Sequence, residues 1–181
     1  MTLEEEYDRV RAISGDAFAP HCELIRDMAS KVDHVVEFGT GLLVSTTAIL
    51  AGQPRTFTTY DVNPHDGVPG LYEMRGRTDF KQVVQNDLEI EPVSCDMLFI
   101  DTNHTGEQLF AELTRHADGV RKWIVMHDTE GFATWDGYFG KPGLWPGLWK
   151  FSRVHECWRF AHVTRESWGL TVLERWAPRL K

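Results

Sequence analysis

The blocks of hydrophobic and polar positions change period along this chain. Leu3, Tyr7, Val10 and Ile13 fall at helical spacing among charges, which predicts an amphipathic helix over residues 3–13. Ser14-Gly15-Asp16 breaks it, and a second helix is expected from His21 to Lys31 with Leu24, Ile25 and Met28 inward. Such stripes are expected to cover a sheet; a lid or a subunit contact is their other use. Val35-Val36-Glu37-Phe38 then leads into Gly39-Thr40-Gly41, and small and apolar residues follow to Ala51: strand, tight turn, helix. Arg55 to Asp61 is rich in β-branched and aromatic residues and reads as a strand ending in an acid. Residues 63–79 carry Pro, Gly and Asp and are expected as loop, and Phe80 to Asp87 as a short strand. Met97 to Ile100 is an uninterrupted apolar run, which suits a central parallel strand covered on both faces. A helix from Gly106 to Ala117, with Leu109, Phe110 and Leu113 inward, separates it from another buried strand, Lys122 to Thr129. Leu148, Phe151, Val154 and His155 predict a further helix. Trp158–Val163 and Leu170–Arg175, joined across Ser167-Trp168-Gly169, predict a terminal antiparallel hairpin.

Strands that alternate with helical patterns predict an α/β fold: three layers, α/β/α, Rossmann-like, with a mostly parallel sheet. Its 181 residues suit one domain with a sizeable core. Within 1–181 the parts are N-terminal helices (1–32), a core (33–130), an aromatic loop and helix (131–157) and the hairpin (158–176). The net charge of −8 argues against nucleic acid as the main partner. No apolar run reaches the roughly 20 residues that span a bilayer, so no membrane partner is expected. The three cysteines share no metal-ligand spacing, and the acidic start, Glu4-Glu5-Glu6, is unlike a signal peptide; a cytoplasmic setting is expected.

The chemistry-bearing residues gather at predicted strand ends. The glycine turn lets a ligand approach bare backbone, and the helix start beyond it offers unpaired N–H groups. Asp61 follows the glycines by about twenty residues, the usual place of an acid that accepts from ribose hydroxyls; it suits a neutral diol and would repel a ribose phosphate. A turn-forming Asp in Asp61-Val62-Asn63-Pro64 is the plainer alternative. Asp101, with His104 three residues on, and the pair His127-Asp128 are delivered to the carboxyl edge of the sheet, where open α/β sheets bind ligands. Either histidine is suited to take a proton near neutral pH, and either equally suits a structural hydrogen bond at a strand end. Imidazole plus carboxylate also suits Zn²⁺ or Fe²⁺, and two His with one carboxylate is the set of non-haem iron oxygenases.

Glu37 before Gly39 and Gly41 resembles motif I of class I S-adenosylmethionine-dependent methyltransferases, with Leu43 where a third glycine would fall. Val36-Glu37-Phe38-Gly39 with Val44-Ser45-Thr46, then Phe99-Ile100-Asp101 with His104, then Ile124-Val125 with His127-Asp128-Thr129, resemble the small-molecule O-methyltransferase branch. The likeness is nearest to the methyltransferase 24 group, with its cephalosporin-hydroxylase-like and macrocin-type members, and covers about residues 34–130. Gly169 to Arg175 is a weaker echo.

The resemblance implies an S-adenosylmethionine cleft formed by Glu37, Gly39, Thr40, Gly41, Ser45, Asp61, Asp87 at the adenine end, and Asp101. It implies a divalent cation, Mg²⁺ or another, on Asp101 and Asp128 with His127, which would lower the pKa of an acceptor hydroxyl. It implies His127, or His104, as the base. The acceptor is expected to be a small hydroxylated molecule. Phe132, Trp135, Tyr138, Phe139, Trp145 and Trp149 are expected to hang over it or to pack on the domain or on a second subunit of a homodimer. A metal-dependent hydroxylase and a catalytically degenerate cofactor- or partner-binding domain are the competing functions.

Overall fold

Among the described residues, seven strands make one sheet: β1 (His34–Phe38), β2 (Thr56–Asp61), β3 (Asp79–Val84), β4 (Cys95–Ile100), β5 (Val120–His127), β6 (Trp158–Thr164) and β7 (Leu170–Arg175). The computed structural model describes residues 1–137 and 140–177, apart from the side chains of Asp16 and Ala17; Tyr138, Phe139 and the last four residues lie outside it. Across the sheet the order is β3-β2-β1-β4-β5-β7-β6. The pairings from β3 to β5 are parallel, and β7 joins β5 and β6 antiparallel. The expected three-layer fold is therefore the observed one. The chain order reverses between β1 and β4, and that switch point opens a crevice beyond the carboxyl ends of the strands.

Helices cover both faces. α1 (Leu3–Ala29), α2 (Val44–Ala51) and α3 (Val68–Met74) share one apolar core with Val35, Phe57, Met97 and Phe99. α4 (Gly106–His116) and α5 (Leu144–Ser152) share the other with Val36, Phe38, Leu98 and Ile124. Successive strand residues supply opposite cores, as the two-residue period of a strand requires. Phe38, Phe57 and Phe99 are fully buried, each contributing about 2–3 kcal/mol of transfer free energy.

Four elements differ from the sequence expectations. The two N-terminal helices are one element, α1, with non-helical angles at Gly15 (φ 55°, ψ −151°), so the break is a kink and not a loop. A capping box starts it: Glu5 N–H donates to Thr2 Oγ1 and Thr2 N–H to Glu5 Oε2. Within 63–79, expected as loop, α3 forms because Val68 and Leu71 are buried and Pro69 is tolerated in a first turn. β3 stops at Val84, which leaves Asp87 on a short 3-10 turn, Asp87–Glu89. The helix expected around Leu148 to His155 runs earlier, Leu144–Ser152, and Val154 is exposed beyond it.

Candidate functional site

A cleft of about 380 Å³ lies at the switch point, lined by Gly39 and Gly41 after β1, Asp61 at the end of β2, Asp87 after β3, and Asp101 to Asn103 after β4. Its floor is set by contact between two turns. Gly39 has φ 87°, and a Cβ there would lie 1.9 Å from the backbone oxygen of Asp101. Only glycine lets the β1 turn and the β4 turn meet. Gly41 (φ 47°), also in the cleft's lining, has open space where a side chain would be. Leu43, in the position of the third glycine, keeps the left-handed angles a glycine would take (φ 66°, ψ 11°), with its side chain buried.

Asp61 braces this loop. Its Oδ2 accepts from Thr40 N–H at 2.8 Å and Gly41 N–H at 3.4 Å, and its Oδ1 from Asn63 N–H at 2.9 Å. Thr40, Ser45 and Glu37 are buried beneath the loop and do not line the cleft. Glu37 is fully buried; Thr46 Oγ1 donates to its Oε2 at 2.8 Å. Burial pushes its carboxyl up to about 7, against the pull of the neighbouring Ser45, Thr59 and Thr46 hydroxyls.

A second cluster adjoins the cleft. Ligand atoms of Asp101, His104 and Asp128 all lie within 4.8 Å of one another. His104 Nε2 is 2.8 Å from Asp128 Oδ2 and 3.7 Å from Asp101 Oδ1. Burial lowers the pKa of His104, but the carboxylates of Asp101 and Asp128 beside it outweigh that and raise it to about 9. Burial likewise raises Asp101, and His104 and His127 overcome it to hold the carboxyl at about 2. Asp128 has φ 60°, unusual for a residue with a side chain, directly after β5.

His127 sits behind this trio. It is 6 % exposed, with Nδ1 3.3 Å from Asp101 Oδ2 and 3.1 Å from Asp128 Oδ1, neither contact aligned as a hydrogen bond. The converging trio thus contains His104 where the sequence reading takes His127, because β5 turns the His127 ring toward α1. There it meets Phe18 (4.4 Å between ring centroids) and His21 (5.4 Å). One imidazole and two carboxylates fit a divalent cation and favour a nitrogen-accepting one such as Mn²⁺, Fe²⁺ or Zn²⁺ over Mg²⁺. They do not make the two-His, one-carboxylate set of non-haem iron oxygenases.

Aromatic residues wall this cluster in part. Phe132 stacks on His104 (4.0 Å, 5°) and Trp168 stacks on Phe132 (5.6 Å). Trp145 turns away, donating to Thr129 O and packing with Trp149 and Phe160, while Trp135 is exposed. Sequence reasoning missed His21, whose Nε2 pairs with Ser167 O at 3.1 Å, and Trp168 itself. It also missed Glu112, a charged residue on the buried face of α4; that misplaced charge was the signal.

No protein-family model and no curated protein sequence matches the chain. Its fold is similar to solved structures. A Corynebacterium glutamicum protein aligns over 96% of this chain and 90% of its own at TM-score 0.73 and 14% identity. The N-methyltransferase NodS of Bradyrhizobium japonicum, in complex with S-adenosylhomocysteine, aligns over 98% and 100% at TM-score 0.68 and 11% identity. The O-methyltransferase TomG of Streptomyces achromogenes, involved in tomaymycin synthesis and solved with S-adenosylmethionine, aligns over 96% and 88% at TM-score 0.63 and 17% identity. The chain has the Rossmann-like fold of these methyltransferases.

Proposed function

We propose that the protein transfers a methyl group from S-adenosylmethionine to a hydroxyl of a small acceptor, as an O-methyltransferase of the methyltransferase 24 kind. The observation that carries this is the Gly39 turn closing on Asp101 beneath a cleft bounded by Asp61 and Asp87. Asp61 faces the ribose hydroxyls and Asp87 the adenine amine, while Gly39 and Gly41 pass under the methionine portion. The solved structures of like fold that hold S-adenosylhomocysteine or S-adenosylmethionine support the choice of ligand.

Asp101, His104 and Asp128 would hold a divalent cation, which supplies Lewis-acid polarisation of the acceptor hydroxyl. His127, behind Asp101 and Asp128, takes up the hydroxyl proton through their carboxylates as the oxygen–carbon bond forms and the sulfonium–carbon bond breaks, leaving a thioether. Asp101 and Asp128 orient both imidazoles. Phe132 holds the His104 ring in plane. Much of the acceleration in such an in-line displacement comes from positioning.

Calorimetric titration with S-adenosylmethionine and S-adenosylhomocysteine, with and without Mn²⁺ or Mg²⁺, is the test. Binding in the micromolar range, tightened by the cation, is expected. Asp128→Ala should abolish cation-dependent turnover while leaving cofactor affinity within about threefold. A chain that binds neither cofactor, or a variant that loses cofactor binding and keeps indifference to metal, rules this reading out.

A further inference from the structure

The adenine end of the cleft hides a buried acid pair. Glu112, in the middle of α4, is fully buried, and Asp87 is 7 % exposed at the rim of the cleft. α4 packs on the 3-10 turn that carries Asp87, with His116 Nε2 3.0 Å from Asp87 O, and the two carboxyls influence each other's ionisation. Glu112 Oε1 accepts from Thr102 Oγ1 at 2.5 Å and Gln108 Nε2 at 2.8 Å. One oxygen of each, Glu112 Oε2 and Asp87 Oδ2, is buried and has no donor. Two buried carboxylate oxygens cannot face each other bare, because each would forfeit its hydration and repel the other. One proton between them satisfies both.

The surroundings favour that proton. Burial and the Asp87 charge both push the Glu112 carboxyl well above the ordinary carboxylate range. No cation among the described residues hydrogen-bonds it. His116, one turn along α4, pairs through Nε2 with Asp87 O and through Nδ1 with Val93 N, and burial lowers its pKa. Arg115 points to Ile90 O. Glu89 on the same 3-10 turn is exposed, and Asp101, His104 and His127 border the small cavity behind Thr102 that Glu112 also lines.

We propose that Glu112 is a positioning residue for cofactor recognition: it holds one proton in common with Asp87, so that Asp87 presents a fixed, charged oxygen to the exocyclic amine of adenine. The inference rests on the cleft being an S-adenosyl site. Protonated Glu112 donates to Asp87 and Asp87 accepts from the amine, so the cleft carries one negative charge at this end and not two. Raising the pH removes the shared proton, sets two carboxylates against each other and displaces Asp87.

S-adenosylhomocysteine is titrated into the full chain between about pH 6 and about pH 9.5, alongside its deaminated analogue S-inosylhomocysteine, which lacks the amine. The wild type should prefer the amine-bearing ligand, and that preference should shrink as the pH rises. Glu112→Ala should weaken S-adenosylhomocysteine by roughly tenfold or more, the scale of one charge-assisted hydrogen bond. Glu112→Gln, whose amide still donates, should rescue binding and abolish the alkaline decline. Profiles for Glu112→Gln and wild type that run parallel overturn the proposal. Should Glu112→Gln fail to fold, Asp87→Asn decides: it should erase the preference between the two ligands, and a preserved preference refutes the role. The shared proton is also read without ligand, as a protonated-carboxyl band in the infrared that Glu112→Gln removes. A wild type that shows this band and binds no cofactor would sink the S-adenosyl reading and the recognition role together, leaving the proton pair intact; absence of the band sinks the pair alone.

Discussion

Glu37 shows what one buried acid does to the molecule's pH response. The unfolded chain titrates it near 4.5 and the folded chain near 7, with burial as the leading cause. The folded state therefore holds more protons between those values, and stability falls as pH rises from about 4.5 to about 7, then levels off. Glu37→Gln should flatten this decline and stabilise the ligand-free protein at pH 8 by roughly 3 kcal/mol or less, read from denaturant melts at several pH values. An unchanged slope would mean that Glu37 is charged in the fold. Gly39 makes the opposite demand. Gly39→Ala drives a methyl into the Asp101 backbone and should cost roughly 3 kcal/mol or more, seen as a lowered melting temperature together with lost cofactor binding. Leu43 strains its backbone by about 1–2 kcal/mol, but its buried side chain returns about 2–3, so burial wins and the imperfect motif persists. At this scale the sequence was legible where chemistry and spacing coincide, as at Gly39, Asp61 and Asp101. It was opaque where a neighbour decides. Nothing local says that both His104 and His127 approach Asp128, at 2.8 and 3.1 Å, because the ring directions depend on Phe132, Phe18 and the left-handed turn at Asp128.

The strands were read closely because their signals are local: apolar runs that end in acids, and a turn at Ser167-Trp168-Gly169. The misread elements are those whose form depends on partners. α3 is short and holds Pro69 and Gly70, so only burial of Val68 and Leu71 against the α1–α2 core makes it a helix. α1 looked like two helices because Gly15 marks a kink as strongly as a loop. The kink matters for the site, since the second half of α1 carries Phe18 and His21 to His127. The β6–β7 turn reaches the same place from the other side. Ser167, Trp168 and Gly169 all have positive φ, Trp168 O accepts from Glu130 N–H and Gly131 N–H, and Ser167 O meets His21. Three consecutive left-handed residues persist only where the surroundings hold them, and here they press Trp168 onto Phe132. Trp168→Ala should remove one stacked pair worth about 0.5–1.5 kcal/mol and loosen the Phe132–His104 stack. We expect turnover to fall several-fold with S-adenosylhomocysteine affinity unchanged, in a paired kinetic and calorimetric measurement. Equal losses in both would assign the turn to cofactor binding.

Across the whole molecule, the sheet places two sites on one edge and gives them a common residue. Asp101 lines the switch-point cleft with its neighbours, holds its backbone oxygen against Gly39, and turns its carboxylate to His104 and His127. No helix among the described residues is long and apolar enough to cross a membrane. A cation taken up by Asp101, His104 and Asp128 would fix the β4 turn, and that turn is also the cleft's floor. Ordering of the turn by one ligand lessens what the other must order, which is positive coupling without any direct contact between them. Each ligand at about 100 times its dissociation constant should add about 2.7 kcal/mol, or roughly 5–10 °C in melting temperature for a chain of this length. Thermal melts with S-adenosylhomocysteine, with Mn²⁺, and with both should therefore show a combined shift larger than the sum of the separate ones, by an amount corresponding to about 1–3 kcal/mol. In His104→Ala the cation's own shift should shrink and the excess should vanish, while the cofactor's shift remains. Strict additivity in the wild type would separate the two sites and remove Asp101 from one of them.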